Sequence, residues 1–426
     1  MFLEAIMNVN EILSGVDCAC GRHHTCSIER VYIEKGAVAR LAELCSEYKS
    51  VILVCDGNTY AAGGRQVEAA LADKKITKVE FDGKTVLIPD ERAIERVNES
   101  LGDAEVIIAL GSGVIQDLCK YVSHFSGIPY IDVATAPSMD GYASDGAAMI
   151  LKGMKETVKA GLPRAIVCDV DILKNAPLDM IKAGYGDIIG KYSALCDWRL
   201  ANIVNGEYLC EYIYKTTEEM VEKTLSLAKG LMERDEESVA ALMEALVVVG
   251  IMMSFAGSSR PASGSEHHLS HFFEIVGIVR GEDYFPHGID VAYSAIVTAS
   301  IREELMETPF PKRKFLPPRS EYEDKIRRIY GRVAEGCIEL QDKVKNYITD
   351  RTATYLKYEP EIKSLFKSSP TSGEIEGMLR LVGLELSDFH KKYGTEKIND
   401  AISYAKDLKD RYTVLWLYYD LFGEQI

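Results

Sequence analysis

The pattern that most restricts this chain lies in its first 170 residues, where short β-branched runs alternate with amphipathic helical segments. Arg30 to Glu34, Val51 to Cys55, Lys78 to Phe81, Glu105 to Leu110 and Pro129 to Val133 read as strands, with helical patterns between most of them. Strands separated by helices imply crossover connections, and crossovers imply a parallel sheet. Two further short strands, Ala147 to Leu151 and Ala165 to Cys168, are expected to close this domain. After Asp169 the period changes: Ser226 to Met232, Val239 to Met253 and Leu379 to Leu384 look helical, and strand signals almost vanish. The expected architecture is an α/β N-terminal domain over residues 1–170, with a mostly parallel, Rossmann-like sheet, and an all-α domain over 171–426. Thr308-Pro309-Phe310-Pro311 and Leu316-Pro317-Pro318 read as loops within the second.

A chain of 426 residues is too long for one ordinary core, which agrees with two domains. Its net charge of −16 makes nucleic acid and anionic membranes unfavourable partners, because their phosphates would be repelled over most of the surface. An anionic small substrate would then need a local cationic or metal site. Met1 to Asn8 lack the basic region and long apolar core of a signal peptide, and no apolar run reads as long enough to span a membrane, so a cytoplasmic protein is expected. Of ten cysteines, several sit in apolar runs, as Cys55 and Cys168 do, and read as reduced core thiols. The exception is Cys18-Ala19-Cys20-Gly21-Arg22-His23-His24-Thr25-Cys26, which carries soft ligands at close spacing. It matches no standard zinc-finger spacing, and a structural turn is the favoured reading over a zinc site.

Three of the eight histidines fall within Glu266-His267-His268-Leu269-Ser270-His271, and His287 follows. On a helix His267 and His271 share a face, while His268 is turned away by roughly 100°. Gly184-Tyr185-Gly186-Asp187-Ile188-Ile189-Gly190-Lys191 places an acid among residues that suggest burial, and a buried carboxylate needs a partner. A metal is one such partner. Asp187 with His267 and His287 would form a mixed oxygen and nitrogen triad with coordination positions left open for substrate. The alternatives are Asp187 as a helix cap or a buried ion-pair acid, and the histidines as incidental residues of a polar surface.

Ile107 to Asp117 is a buried strand, a glycine turn (Gly111-Ser112-Gly113-Val114-Ile115) and a helix start, an arrangement that presents backbone N–H groups to a phosphate. It lacks the third glycine of the Rossmann fingerprint and follows a late strand. A second loop, Thr135 to Gly146, follows the next strand and is rich in small hydroxyl and acidic residues, among them Ser138, Asp140 and Ser144. Loops beyond the carboxyl ends of neighbouring strands share one crevice, so the pair favours a dinucleotide over coincidental turns. Asp56 ends an earlier strand. Its carboxylate is suited to the adenosine ribose hydroxyls and would repel a 2′-phosphate; an Asx turn is the other reading.

With these residues in place, the sequence resembles the sn-glycerol-1-phosphate dehydrogenases, the bacterial branch most closely, within the superfamily of iron-type alcohol dehydrogenases, glycerol dehydrogenase and dehydroquinate synthase. The matching segments are Gly111 to Lys120, Thr135 to Ser144, Gly186 to Leu200, Arg260 to Glu274 and Pro286-His287-Gly288. One departure is Ser112, where relatives commonly carry glycine. The resemblance implies catalysis in a cleft between the two domains, with a divalent metal (zinc, nickel or iron) on Asp187, His267 and His287. It places His271, Asp140 and Asp187 in catalytic and substrate roles, and assigns Asp56, Gly111, Ser112, Gly113, Val114, Ile115, Thr135, Ser138 and Ser144 to NAD, with NADP as an alternative cofactor. The implied reaction interconverts dihydroxyacetone phosphate and sn-glycerol 1-phosphate, a step of phospholipid metabolism and lipid biosynthesis, in a homodimer or higher homo-oligomer. Arg260 and Lys191 are the candidate contacts to the substrate phosphate. A polyol dehydrogenase and a non-catalytic nucleotide-sensing protein are the competing readings.

Overall fold

A computed structural model of the chain describes residues 9–152, 154–310, 315 and 317–423. Met1 to Asn8, and Pro311 and Leu316 of the two proline loops, lie outside the described residues. The chain divides into two compact units, the first made of residues 1–185 and 226–259, the second of residues 186–225 and 260–426.

In the first unit six strands form one parallel sheet: β1 (Arg30–Glu34), β2 (Ser50–Asp56), β3 (Lys75–Phe81), β4 (Val106–Gly111), β5 (Tyr130–Ala134) and β8 (Ala165–Asp169), in the order β1-β8-β5-β4-β2-β3. Every residue of β4, β5 and β8 is buried, as expected for inner parallel strands covered on both faces. Their side chains alternate between two cores. Val51, Leu53, Cys55, Ile108 and Leu110 enter one apolar cluster, while Ile52, Val54, Ile107 and Ala109 enter the other. Each fully buried aliphatic side chain contributes about 1.5–3 kcal/mol relative to exposure.

The two expected closing strands part company. Ala165–Asp169 inserts between β1 and β5, whereas β6 (Gly146–Leu151) pairs antiparallel with β7 (Met154–Lys159) outside the sheet. The polar run Met154-Lys155-Glu156-Thr157-Val158-Lys159 carries no strong strand signal in the sequence. A short N-terminal ladder, Val16–Asp17 against His23–His24, was also not expected as strand.

Among the described residues no strand follows Asp169. Helix α1 (Gly113–Ser126) follows β4, and α2 (Leu178–Asn205) contains the boundary between units. Helix α3 (Glu236–Ala256) belongs to the first unit. It is apolar and long enough by composition to cross a membrane, contrary to the sequence reading, yet 78% of its most apolar window is buried, as for a core helix. The expected helix over Leu379 to Leu384 is displaced: the observed one spans Ser372–Arg380, and Gly383, at φ 69°, lies beyond its end.

The second unit is all helical. Helices α4 (Ser265–Arg280) and α5 (His287–Glu307) pack against each other, and α4 is fixed by one carboxylate. Asp197 accepts from the Ser265 N–H at 2.6 Å and from the Val414 N–H at 2.7 Å, so one buried acid serves the starts of two helices. Burial pushes its pKa up to about 6, with the nearby Glu266 adding to the effect. Seven cysteines are buried and none of the described cysteines forms a disulfide, matching the reduced-thiol reading; burial holds Cys55 up at about 12.

Candidate active site

The glycines around Asp187 explain how a carboxylate on α2 comes near a histidine on α5. A methyl group on Gly186 would meet the Gly288 carbonyl oxygen at 2.8 Å and Ala292 Cβ at 2.7 Å; one on Gly190 would meet Val291 at 2.5 Å. Their absence lets the two helices touch through backbone, with Asp187 between the two glycines. One carboxylate oxygen of Asp187 and one ring nitrogen each of His267 and His287 lie within 4.8 Å of one another. His267 Nε2 is 3.7 Å from Asp187 Oδ1, and the His267 and His287 ring centroids are 5.0 Å apart. Two imidazole nitrogens and a carboxylate, converging at this spacing in a largely buried setting, are a donor set suited to one divalent transition ion.

The donors are held from behind. Lys191, one turn along α2, donates to Asp187 Oδ1 at 2.6 Å, and both side chains are fully buried. Glu266 Oε1 lies 2.7 Å from His267 Nδ1 and also accepts from the Gly264 N–H at 2.9 Å. This leaves Nε2 as the nitrogen on the Asp187 side, the usual arrangement for an imidazole ligand. Burial raises the Glu266 carboxyl to about 7. Ser270 Oγ approaches His287 Nδ1 at 3.3 Å.

His271 lies beside these two histidines, its ring 6.1 Å from His267 and 5.5 Å from His287, without belonging to the compact donor group. His268 faces elsewhere. It is buried, with no hydrogen-bond partner on either nitrogen, and burial with the charges of Arg411, Lys409 and Arg260 holds its pKa well below the usual range.

The two expected phosphate contacts are engaged otherwise. Lys191 is spent on Asp187, and Arg260 makes a two-pronged ion pair with Glu207 while donating to the Tyr412 carbonyl at 2.8 Å. A buried cation is stable only with such partners, so neither side chain points freely at a ligand. Arg411, which the sequence reading passed over, is pushed down to about 10 by burial and by the charge of Arg260, and donates to the Ser263 carbonyl.

The remaining site residues lie in the first unit, at the carboxyl ends of β2, β4 and β5. β2, β4 and β5 are adjacent, and the chain order reverses between β2 and β4. Ser112 caps α1 in extended conformation without a side-chain bond, so the first N–H groups of α1, at Gly113, Val114 and Ile115, lack intrahelical acceptors. A side chain on Gly111 would strike Ile115 Cβ at 2.5 Å. Two buried residues that sequence reasoning did not single out tie these loops down. Gln116 donates to the carbonyls of Ala109 and Gly111, and Lys120 Nζ donates to those of Gly141 and Gly146 at 2.9 and 3.0 Å. Their signal was a polar side chain on the apolar face of α1. Thr135, Ser138 and Asp140 are buried in the loop after β5, and Ser144 Oγ donates to the Gly141 carbonyl. Asp56 caps the turn after β2: Oδ1 accepts from the N–H groups of Asn58 and Thr59 at 2.8 and 2.9 Å.

Residues 32–177 match the iron-containing alcohol dehydrogenase family model. A glycerol-1-phosphate dehydrogenase [NAD(P)+] of Bacillus licheniformis is 29% identical over 422 residues, covering 96% of this chain and 94% of the relative. One from Geobacillus stearothermophilus is 35% identical, covering 65% of this chain and 70% of that one. The chain belongs to the glycerol-1-phosphate dehydrogenase family. This is the family whose motifs were read in Gly111 to Lys120 and Arg260 to Glu274. Among solved structures, an alcohol dehydrogenase from Oenococcus oeni superimposes with a TM-score of 0.57, covering 89% of this chain and 92% of that one; at 14% identity the likeness is one of fold.

Proposed function

We propose that this chain interconverts dihydroxyacetone phosphate and sn-glycerol 1-phosphate with NAD(H) or NADP(H), using one divalent metal held by Asp187, His267 and His287. The observation that carries the reading is the compact triad of those three residues in a member of the glycerol-1-phosphate dehydrogenase family. A metal there supplies Lewis-acid polarisation of the substrate ketone. Zinc, nickel and iron all suit the donor set.

The chain's own residues divide the remaining work. Lys191 neutralises and orients Asp187, and Glu266 fixes the ring of His267. His271, beside the donors on the same helical face, orients the substrate or relays the proton that accompanies ketone reduction. Asp140 contacts substrate. The α1 N-terminus receives the dinucleotide phosphates, with Gly111 and Ser112 leaving room for close approach. Thr135, Ser138 and Ser144 supply hydroxyls, and the Asp56 carboxylate meets the adenosine ribose while keeping its cap on the following turn. The reaction belongs to phospholipid precursor synthesis in the cytoplasm.

The competing polyol reading is tested by comparing turnover of glycerol and glycerol 1-phosphate with both oxidised cofactors. The reading here expects kcat/KM for glycerol 1-phosphate to dominate; equal or better use of glycerol contradicts it.

A further inference from the structure

The N-terminal hairpin holds a second set of metal donors, of a different chemical kind. Its strands pair Val16 with His24 and Asp17 with His23, and the connection is closed by Cys18 N–H to the Arg22 carbonyl at 3.1 Å and Gly21 N–H to the Cys18 carbonyl at 3.0 Å. Gly21 sits at φ 83°, a conformation that glycine adopts without strain. The tight turn folds Cys20 back toward the strands. Its sulfur lies 3.3 Å from His24 Nε2, and its N–H is directed at Cys18 Sγ at 3.5 Å. Cys18 Sγ, Cys20 Sγ and a ring nitrogen of His24 all fall within 4.8 Å of one another. Cys26 and His23 do not join this group: His23 Nδ1 turns outward to Asp17 at 2.7 Å.

His24 is arranged as a ligand. It is buried, stacked on Phe255 with centroids 5.4 Å apart, and its Nδ1 lies 3.2 Å from the Phe255 carbonyl oxygen. That carbonyl can only accept, so Nδ1 carries the proton and Nε2 offers a lone pair toward the two thiols.

We propose that Cys18, Cys20 and His24 bind a structural zinc ion that fastens the N-terminal hairpin to the end of α3 through Phe255. Two thiolates and one imidazole select zinc over magnesium or calcium, and a fourth donor, from the chain or from water, completes the tetrahedron. Binding releases the two thiol protons to solvent, and no redox step is involved.

The triad Asp187, His267 and His287 contains no sulfur, so spectroscopy separates the two sites. The full-length protein, reconstituted with Co²⁺ in place of its native metal, is expected to bind two equivalents per chain and to show a thiolate-to-cobalt charge-transfer band. The band should vanish in Cys18→Ser/Cys20→Ser with the loss of one equivalent, and survive in His267→Ala. A band that persists in the double variant overturns the proposal. Should that variant fail to fold, X-ray absorption at the zinc edge of the zinc-loaded wild-type protein decides. Sulfur in the zinc shell supports the site, and a shell of only nitrogen and oxygen refutes it.

Discussion

The two units place their site residues in opposite ways. In the second unit the donors are side chains braced by other side chains: Lys191 behind Asp187, Glu266 behind His267, Ser270 beside His287. In the first unit the loops proposed for the cofactor are largely backbone, kept tight by Gly111 and pinned through their carbonyls by Gln116 and Lys120. A site built from side chains has no substitute when one is removed, whereas a surface of N–H groups survives the exchange of neighbouring side chains. Single substitutions should therefore separate the units sharply, with ligand losses severe and cofactor-loop losses graded.

The largest effect is expected from His267→Ala or His287→Ala. Each removes a donor that no neighbour can replace, so bound metal and turnover should both be lost while the helical fold persists. The loss should exceed the roughly 10–100-fold weakening of metal binding that follows removal of a group behind a ligand. Metal content and circular dichroism check this; stoichiometric metal with near-normal rates in either variant would dismantle the triad.

His271→Ala should be intermediate. Metal stays, because His271 lies outside the donor group, but kcat/KM for dihydroxyacetone phosphate should fall by roughly 10²-fold, the scale for losing a positioned acid or base. His268→Ala, on the other face, should cost much less turnover. Metal release from the His271 variant, or a greater loss of turnover in His268→Ala, would reverse the roles assigned along α4.

The smallest effect belongs to the first unit. Asp56→Ala should raise the ratio of kcat/KM for NADPH over NADH by roughly fivefold, since a charge pair about 4 Å apart in water-like surroundings is worth about 1 kcal/mol. An unchanged ratio would reduce Asp56 to the turn-capping part that its bonds to Asn58 and Thr59 already describe.

How much of this could be read from the sequence follows from which interactions are local. The parallel sheet was legible because inner strands are continuous apolar runs, and the separation of His268 from His267 and His271 follows from the helical period alone. Of the β6–β7 pair, Ala147 to Leu151 was legible because it is an apolar run whose Ala147 and Met149 enter the core, whereas Met154 to Lys159 was not, because its mostly polar residues leave no hydrophobic pattern. Lys191 and Arg260 were read as cations awaiting a phosphate, when burial had already matched each to a carboxylate: Lys191 to Asp187 and Arg260 to Glu207. Pairings such as Arg260 with Glu207 are long-range and have no sequence signature. The unit boundary shows the same limit. Strand patterning ends at Asp169, yet residues 226–259 pack with the first unit, an association that no local pattern records.

The central claim is that the Asp187, His267 and His287 site makes this chain a metal-dependent glycerol-1-phosphate dehydrogenase. The most direct measurement is NADH oxidation with dihydroxyacetone phosphate before metal removal, after chelation and after readdition of zinc, nickel or iron, with chiral analysis of the product. Activity that disappears on chelation, returns with metal and yields sn-glycerol 1-phosphate is the predicted result. Undiminished turnover in the metal-free protein, or formation of the sn-3 enantiomer, would contradict it.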